Sequence, residues 1–227
     1  HKEYRRQRQM CIRDRYGAVF NCGTILHMTY TAKTFNLPSL SGISEKQVKV
    51  HLALYEAYVK HTNLIMDKIH VLREADAEGN VYLINELRRR LGFEFNGMRL
   101  HEYYFDQFEG GSVPLSAEAL STAASDRYPT QGLEGHVREV AGTRGIGWVI
   151  VYLDPVTKEL QTTFVSDHEL GQLAGLPIIL ALDLWEHAFM VDYVPADKKS
   201  YIDAFFSNLN WSVIERRFEN AMSASAA

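Results

Sequence analysis

Apolar side chains recur at helical spacing in two long runs, residues 45–73 and 81–108, separated by the turn signal Gly79-Asn80. The first run contains no Gly or Pro, and Ser44 with Gln47 three residues later fits a capping box at its start. The second has Gly92 and Gly97 as weak points and stops at Gly110-Gly111. A short turn between two long helical patterns predicts an antiparallel helical hairpin.

The period changes in the second half. Two shorter helical stretches, around 117–124 and 133–140, precede the cluster Gly145-Ile146-Gly147-Trp148. Val149 to Leu153 is then a continuous apolar run rich in β-branched residues, the mark of a buried strand. Asp154-Pro155 supplies a turn, Thr162 to Val165 a hairpin partner, and Pro177 to Leu182 a third buried strand. Helices resume after Asp197, with Tyr201, Phe205, Leu209 and Ile214 on their apolar faces. Helices, then a few strands, then helices describe an α+β fold: an N-terminal antiparallel helical hairpin followed by a mixed domain with a small three-stranded antiparallel sheet flanked by helices. The expected division is 1–33 as a leader or disordered extension outside the fold, 34–112 as the hairpin and 113–227 as the C-terminal domain.

With 227 residues, 46% hydrophobic and 23% charged, the chain can bury a full core. The apolar run from Leu176 to Leu182 is far short of the roughly 20 residues that span a bilayer, so no membrane partner is expected. A net charge of -4 offers no field for phosphate backbones, and no nucleic-acid partner is expected. Residues 1–15 carry six basic and two acidic side chains, leaving -8 on the remainder. Cys11 and Cys22 both lie in the leading stretch, so the rest of the chain has no thiol for a disulfide or a thiolate metal site. Asn21 and His27 interrupt the apolar candidate from Ala18 to Met28, which argues against a signal peptide and for a cytoplasmic protein.

Nine histidines focus the search for chemistry. Asp183-Leu184-Trp185-Glu186-His187 follows the third strand directly, and a carboxylate and an imidazole converging there suit iron or manganese. His51 shares a helix face with Tyr55 and Tyr58, at offsets of four and seven, and His101 sits within Leu100-His101-Glu102-Tyr103-Tyr104-Phe105. Each of these histidines considered alone is more often a hydrogen-bonded core residue than a ligand. Three imidazoles and one carboxylate together would cancel one positive charge of a metal ion and leave a position open for solvent or a small oxygen species.

The run DLWEHAFMVDY from Asp183 to Tyr193 resembles the signature of the iron/manganese superoxide dismutases. Asn96-Gly97 followed by His101, the Gly145–Trp148 cluster and Asn210-Trp211 are similar to further elements of that family, in its order, over roughly residues 35–222. The resemblance implies conversion of two superoxide anions to dioxygen and hydrogen peroxide by alternate reduction and oxidation of one bound iron or manganese ion per subunit. It implies His51, His101, Asp183 and His187 as metal ligands, at a site between the two domains, and Tyr58 as a gateway tyrosine that helps deliver protons. Glu186 would reach across a homodimer, or within a homotetramer, to the ligand histidine of the other subunit, and Trp148 and Trp185 would line the pocket.

Four departures from the family pattern matter. His51 and Tyr58 are seven residues apart where most members have eight, which loss of a π-type bulge would absorb. The glutamine that the family usually places near the metal is replaced by Gly97 at one of its two locations and by His168 at the other, making His168 the expected partner of bound solvent. The histidine-tyrosine pair that links subunits in many members is replaced by Leu54 or Tyr55 and by Met190. The entrance arginine has no match, with Lys198 or Lys199 as candidate substitutes. Two other readings remain open on the residues: a non-haem iron oxygenase using His101, Asp183 and His187, and a structural module whose metal site has decayed.

Overall fold

This computed structural model describes residues 29–224. Cys11, Cys22 and the segment from Ala18 to Met28, which carry the leader and secretion readings, lie outside the described residues. Two helices, α1 (Glu45–Asp76) and α2 (Val81–Asp106), form the expected hairpin around the turn at 77–80. They bury Tyr58 and Val59 of α1 against Met98 and Phe105 of α2 in a core shared with the sheet. The folded chain starts earlier than the sequence suggests. The Tyr30 N–H donates to Asn63 Oδ1 and Asn63 Nδ2 to the Tyr30 carbonyl, both at 2.8 Å, and the Lys33 N–H donates to Tyr55 Oη at 2.8 Å. Residues 30–33 therefore pack on the hairpin and do not belong with a leader.

The capping box is half formed. Ser44 Oγ accepts from the Gln47 N–H at 3.1 Å, as an N-cap should. The Gln47 side chain does not return to Ser44. Its Nε2 donates to the His187 carbonyl at 2.6 Å and its Oε1 accepts from the Val191 N–H at 2.9 Å, while the Ser44 N–H turns to Asp192 Oδ2. The same spacing that signals a cap thus ties the start of α1 to the distant segment 187–192.

Beyond the glycine turn at 110–111 come α3 (Glu118–Arg127) and α4 (Gly132–Ala141), then β1 (Gly147–Leu153), β2 (Leu160–Ser166) and β3 (Ile178–Asp183). The sheet order is β2-β1-β3, with β1 central and antiparallel to both neighbours. Every residue of β1 is buried, which explains its unbroken apolar run. Gly147 has φ +140°, and a Cβ there would lie 2.1 Å from the Val165 carbonyl oxygen, so the start of β1 tolerates no side chain. One residue on, Trp148 pairs with Asp183, and the indole and the carboxylate come from facing positions at one end of the sheet. A 3₁₀ turn at Glu186–Ala188 and another at Pro195–Asp197 lead to α5 (Lys198–Ser207) and α6 (Trp211–Ser223), the latter capped by Asn210, whose side chain accepts from the Ser212 N–H.

Gln107, just past α2, joins the two halves. Its fully buried amide donates to the Ala181 carbonyl at 2.8 Å and accepts from the Ala181 N–H at 2.9 Å, completing the outer edge of β3 as another strand would. Gln107→Leu keeps the volume and leaves both Ala181 groups unpaired. It should cost about 2–4 kcal/mol of stability, measured by denaturant unfolding, since each orphaned buried group costs about 1–3 kcal/mol.

Candidate metal centre

Four side chains from three separate parts of the chain meet where the hairpin covers the end of the sheet. His51 of α1, His101 of α2, Asp183 at the end of β3 and His187 in the following 3₁₀ turn bring one ligand atom each within 4.8 Å of one another. Asp183 Oδ2 lies 3.1 Å from His51 Nε2, 3.2 Å from His187 Nε2 and 3.7 Å from His101 Nε2. Ligand bonds of about 2.0–2.2 Å to one ion put neighbouring donor atoms about 3–3.5 Å apart, so the spacing suits a common metal. The other carboxylate oxygen, Oδ1, accepts from the Trp185 N–H at 2.8 Å, which fixes the rotation of the group and aims Oδ2 at the imidazoles.

His101 shows that the cluster is more than a set of hydrogen bonds. Its Nδ1 donates to the Gly97 carbonyl at 2.6 Å, which places the proton on Nδ1 and leaves Nε2 with a bare lone pair. That nitrogen is fully buried and has no hydrogen-bond partner. A metal ion satisfies it. Burial, then the neighbouring His51, hold the His101 pKa well below its ordinary value, and burial likewise lowers that of His51, so both stay neutral and able to bind. Burial alone would raise the Asp183 carboxyl, but the His187 and His51 imidazoles outweigh it and keep the group ionised.

His51 and Tyr58 share a face of a regular helix with no π-type bulge, as the shortened spacing implies. Helix α1 is α-helical throughout, and seven residues turn a straight helix to within about 20° of two full turns. The pair falls on the side facing α2. There the Tyr58 ring rests on Gly97, where a Cβ would lie 2.7 Å from Tyr58 Cδ1. Gly97 thus makes room for one site residue and orients another through its carbonyl.

His168 is fully buried between Tyr58 and Trp148. The Trp148 indole N–H, which can only donate, reaches His168 Nδ1 at 2.9 Å. Nδ1 is therefore the acceptor, the proton is on Nε2, and Nε2–H donates to Tyr58 Oη at 2.8 Å. With its oxygen occupied as an acceptor, the Tyr58 hydroxyl keeps its own proton to donate elsewhere. Burial, reinforced by Asp183 and Glu94, raises the Tyr58 pKa and keeps that proton in place, whereas burial lowers the pKa of His168 to about 4. The seat of His168 is held by Asp167, in the left-handed conformation at φ 54°, and by Asn96 Nδ2 donating to the His168 carbonyl at 2.9 Å.

A helical hairpin laid over a three-stranded sheet, with three imidazoles and one carboxylate at their junction, defines a mononuclear metalloprotein. Residues 130–217 match the family described as iron/manganese superoxide dismutases, C-terminal domain. The chain is 35% identical to an iron superoxide dismutase of Aquifex aeolicus over 195 residues, 83% of this chain and 90% of that protein. It is 34% identical to one of Cupriavidus metallidurans over 191 residues, 81% and 92% of the two chains. A manganese superoxide dismutase of Halobacterium salinarum is 36% identical over 130 residues, 56% of this chain and 63% of that protein. The chain belongs to the iron/manganese superoxide dismutase family.

The fold brings together all the inner residues expected from the sequence. The Trp148 ring lies 5.2 Å from that of His101, and the Trp185 ring stacks 5.0 Å from His168 and 5.6 Å from His187. Glu186 is exposed and faces out of the subunit beside His187, whose side chain is 18% exposed. Lys198 and Lys199 line a groove of about 850 Å³ with Arg138, Arg144 and Glu186, and that lining contains neither Tyr58 nor His168. Sequence reasoning missed the supports: Gln47, hidden by its capping-box spacing; Asn96, seen only as part of an Asn-Gly motif; and Tyr201, read as an apolar-face residue, whose hydroxyl donates to the Asp183 carbonyl at 2.8 Å.

Gly97→Ala should push the Tyr58 ring off its seat and cost about 1–3 kcal/mol, with loss of the Tyr58–His168 bond visible in a crystal structure of the variant. A second test uses pH. The unfolded chain takes up a proton on His168 near pH 6.5, whereas the folded metal-free protein refuses it until about pH 4. The contribution is full above 6.5 and is lost as pH falls toward 4, about 3 kcal/mol in all. His168→Gln should flatten that part of the stability–pH curve.

Proposed function

We propose that the protein disproportionates superoxide: two superoxide anions and two protons yield one dioxygen and one hydrogen peroxide. His51, His101, Asp183 and His187 would hold one iron or manganese ion per subunit. That ion, when bound, supplies the one-electron acceptance and donation that the two halves of the reaction require. The observation that carries the reading is the unpartnered Nε2 of His101, facing three other ligand atoms beside a proton-bearing tyrosine.

The chain's own residues account for proton supply and seclusion. Tyr58, 9% exposed, stands between solvent and the ligand cluster with a hydroxyl proton free to give, and solvent replaces it. His168 holds the Tyr58 oxygen in place, and with Nδ1 taken by Trp148 and the Nε2 proton by Tyr58 its influence on solvent near the ion passes through the Tyr58 hydroxyl. Trp148 locks the His168 tautomer, and Trp185 with Phe93 walls the pocket with apolar surface. The oxygenase reading fits less well, because it requires three ligands and two open positions, whereas His51 Nε2 occupies a fourth. A decayed site is disfavoured by four intact, oriented ligand groups.

The active unit in this reading is a homodimer or a homotetramer. Glu186 is exposed and makes no side-chain hydrogen bond among the described residues, beside Met190 at 48% exposure and Val191 at 38%. Across a dimer its carboxylate would accept from the partner subunit's His187. Tyr55 takes no part in such a link, since its hydroxyl donates to Glu102 at 3.2 Å within the subunit. We place the protein in the cytoplasm, a reading supported by Asn21 and His27, which break the apolar stretch from Ala18 to Met28. No described helix is long and apolar enough to cross a membrane.

Purified protein should contain iron or manganese near one ion per chain and accelerate superoxide decay, and inactivity with either metal would overturn the reading. His168→Ala should retain metal but shift its reduction potential and lower activity, while His168→Gln, which offers one acceptor to Trp148 and one donor to Tyr58, should restore most of both. Glu186→Ala should weaken the dimer at least about tenfold in sedimentation equilibrium, the effect of losing about 1.4 kcal/mol.

A further inference from the structure

Superoxide is an anion, and outside its first 15 residues the chain carries -8, so approach to the site depends on local positive charge. Lys198 and Lys199 sit in a groove whose lining includes neither Tyr58 nor His168. The structure offers a different cation. The Arg90 guanidinium carbon lies 3.8 Å above the centre of the Phe93 ring. That ring packs 4.6 Å from His168, 6.2 Å from Tyr58 and 6.3 Å from Trp185, and so forms the wall that Tyr58 and His168 share.

Arg90 is held there from below. Its Nε donates to Glu94 Oε1 at 2.8 Å and its Nη2 lies 2.7 Å from the same oxygen. The two members of the pair differ in exposure, 48% for the arginine side chain and 8% for the glutamate, so the positive end faces solvent and the negative end is covered. The planar guanidinium lies on an aromatic face and is tied by two nitrogens, which fixes its position in a way a lysine would not. Its charge reaches the site: Arg90 acts against protonation of His168 and favours ionisation of Tyr58, while Glu94 opposes ionisation of Tyr58. The Glu169 carboxylate also lies over Gly92, two residues along α2 from Arg90, and adds a negative charge nearby.

We propose that Arg90 is the steering residue of the entrance, its guanidinium laid on the Phe93 wall to draw the anionic substrate in, with Glu94 setting the strength of that pull. The assignment rests on superoxide as substrate. It makes the two partners of one ion pair act in opposite directions. A pair that merely stabilised α2 would lose the same interaction whichever partner was changed.

The test measures superoxide decay at subsaturating substrate over a range of ionic strength, alongside the rate of azide binding to the iron-loaded protein followed by absorbance. Arg90→Gln should lower kcat/KM about threefold to tenfold at low salt and flatten its salt dependence, with Arg90→Lys retaining most of the wild-type rate. Glu94→Gln should raise kcat/KM and steepen the salt dependence. Azide binding should follow the same order. An unchanged rate and salt slope in Arg90→Gln, equal losses in both variants, or a larger effect of Lys198→Gln would each overturn the proposal. Should Glu94→Gln fail to fold, the Arg90→Gln and Arg90→Lys comparison decides alone. Wild-type protein that binds azide in the predicted order among variants but does not remove superoxide would defeat the functional reading and leave the entrance assignment standing.

Discussion

A carboxylate with no exposure to solvent is the constraint on which the rest of this structure depends. Asp183 is costly to bury as an anion unless its charge is met, and the fold meets it with the His51 and His187 imidazoles on one oxygen and a backbone N–H on the other. The groups around it are in turn supported: His101 by the Gly97 carbonyl, His187 by Gln47 gripping its backbone, and the Asp183 backbone by Tyr201. Removing a support leaves the buried charge in place and changes only how well it is met. The helical hairpin and the sheet are thereby bound together by electrostatics as well as by apolar contact.

Around that charge the network has one direction. Indole nitrogen can only donate, so Trp148 determines the tautomer of His168, and His168 determines which role is left to the Tyr58 oxygen. The polarity of the chain of bonds is therefore set at its most buried member, far from solvent, and read out at its most accessible one. Gly97 contributes from a different side by having no side chain at all, since the Tyr58 ring fills the place a Cβ would take.

Much of this was legible in the residues. The two helical runs, the strand at Val149–Leu153 and the chemistry around Asp183–His187 carry strong local signals, because periodicity and β-branched content report on burial directly. The ligand roles came from resemblance to a family, since spacing alone cannot tell a metal-binding histidine from a core one. What stayed hidden was the set of long-range polar contacts. Gln47 satisfies a local rule at its backbone and a distant one at its side chain, and only the second matters for the site. The start of the fold was read too late for the same reason: Tyr30 and Lys33 are held by backbone bonds to Asn63 and Tyr55, which leave no pattern in composition. Helix α1 carries no π-type bulge, in keeping with the seven-residue spacing, and two near-complete helical turns align His51 with Tyr58.

The tie between Gln47 and His187 spans 140 residues of sequence, and that between His51 and Asp183 spans 132. Two of the four ligand groups belong to the hairpin and two to the end of β3 and the turn that follows it, so the complete set exists only while these parts are docked. Any opening that separates hairpin from sheet, local as much as global, dismantles the site before either part loses its own secondary structure.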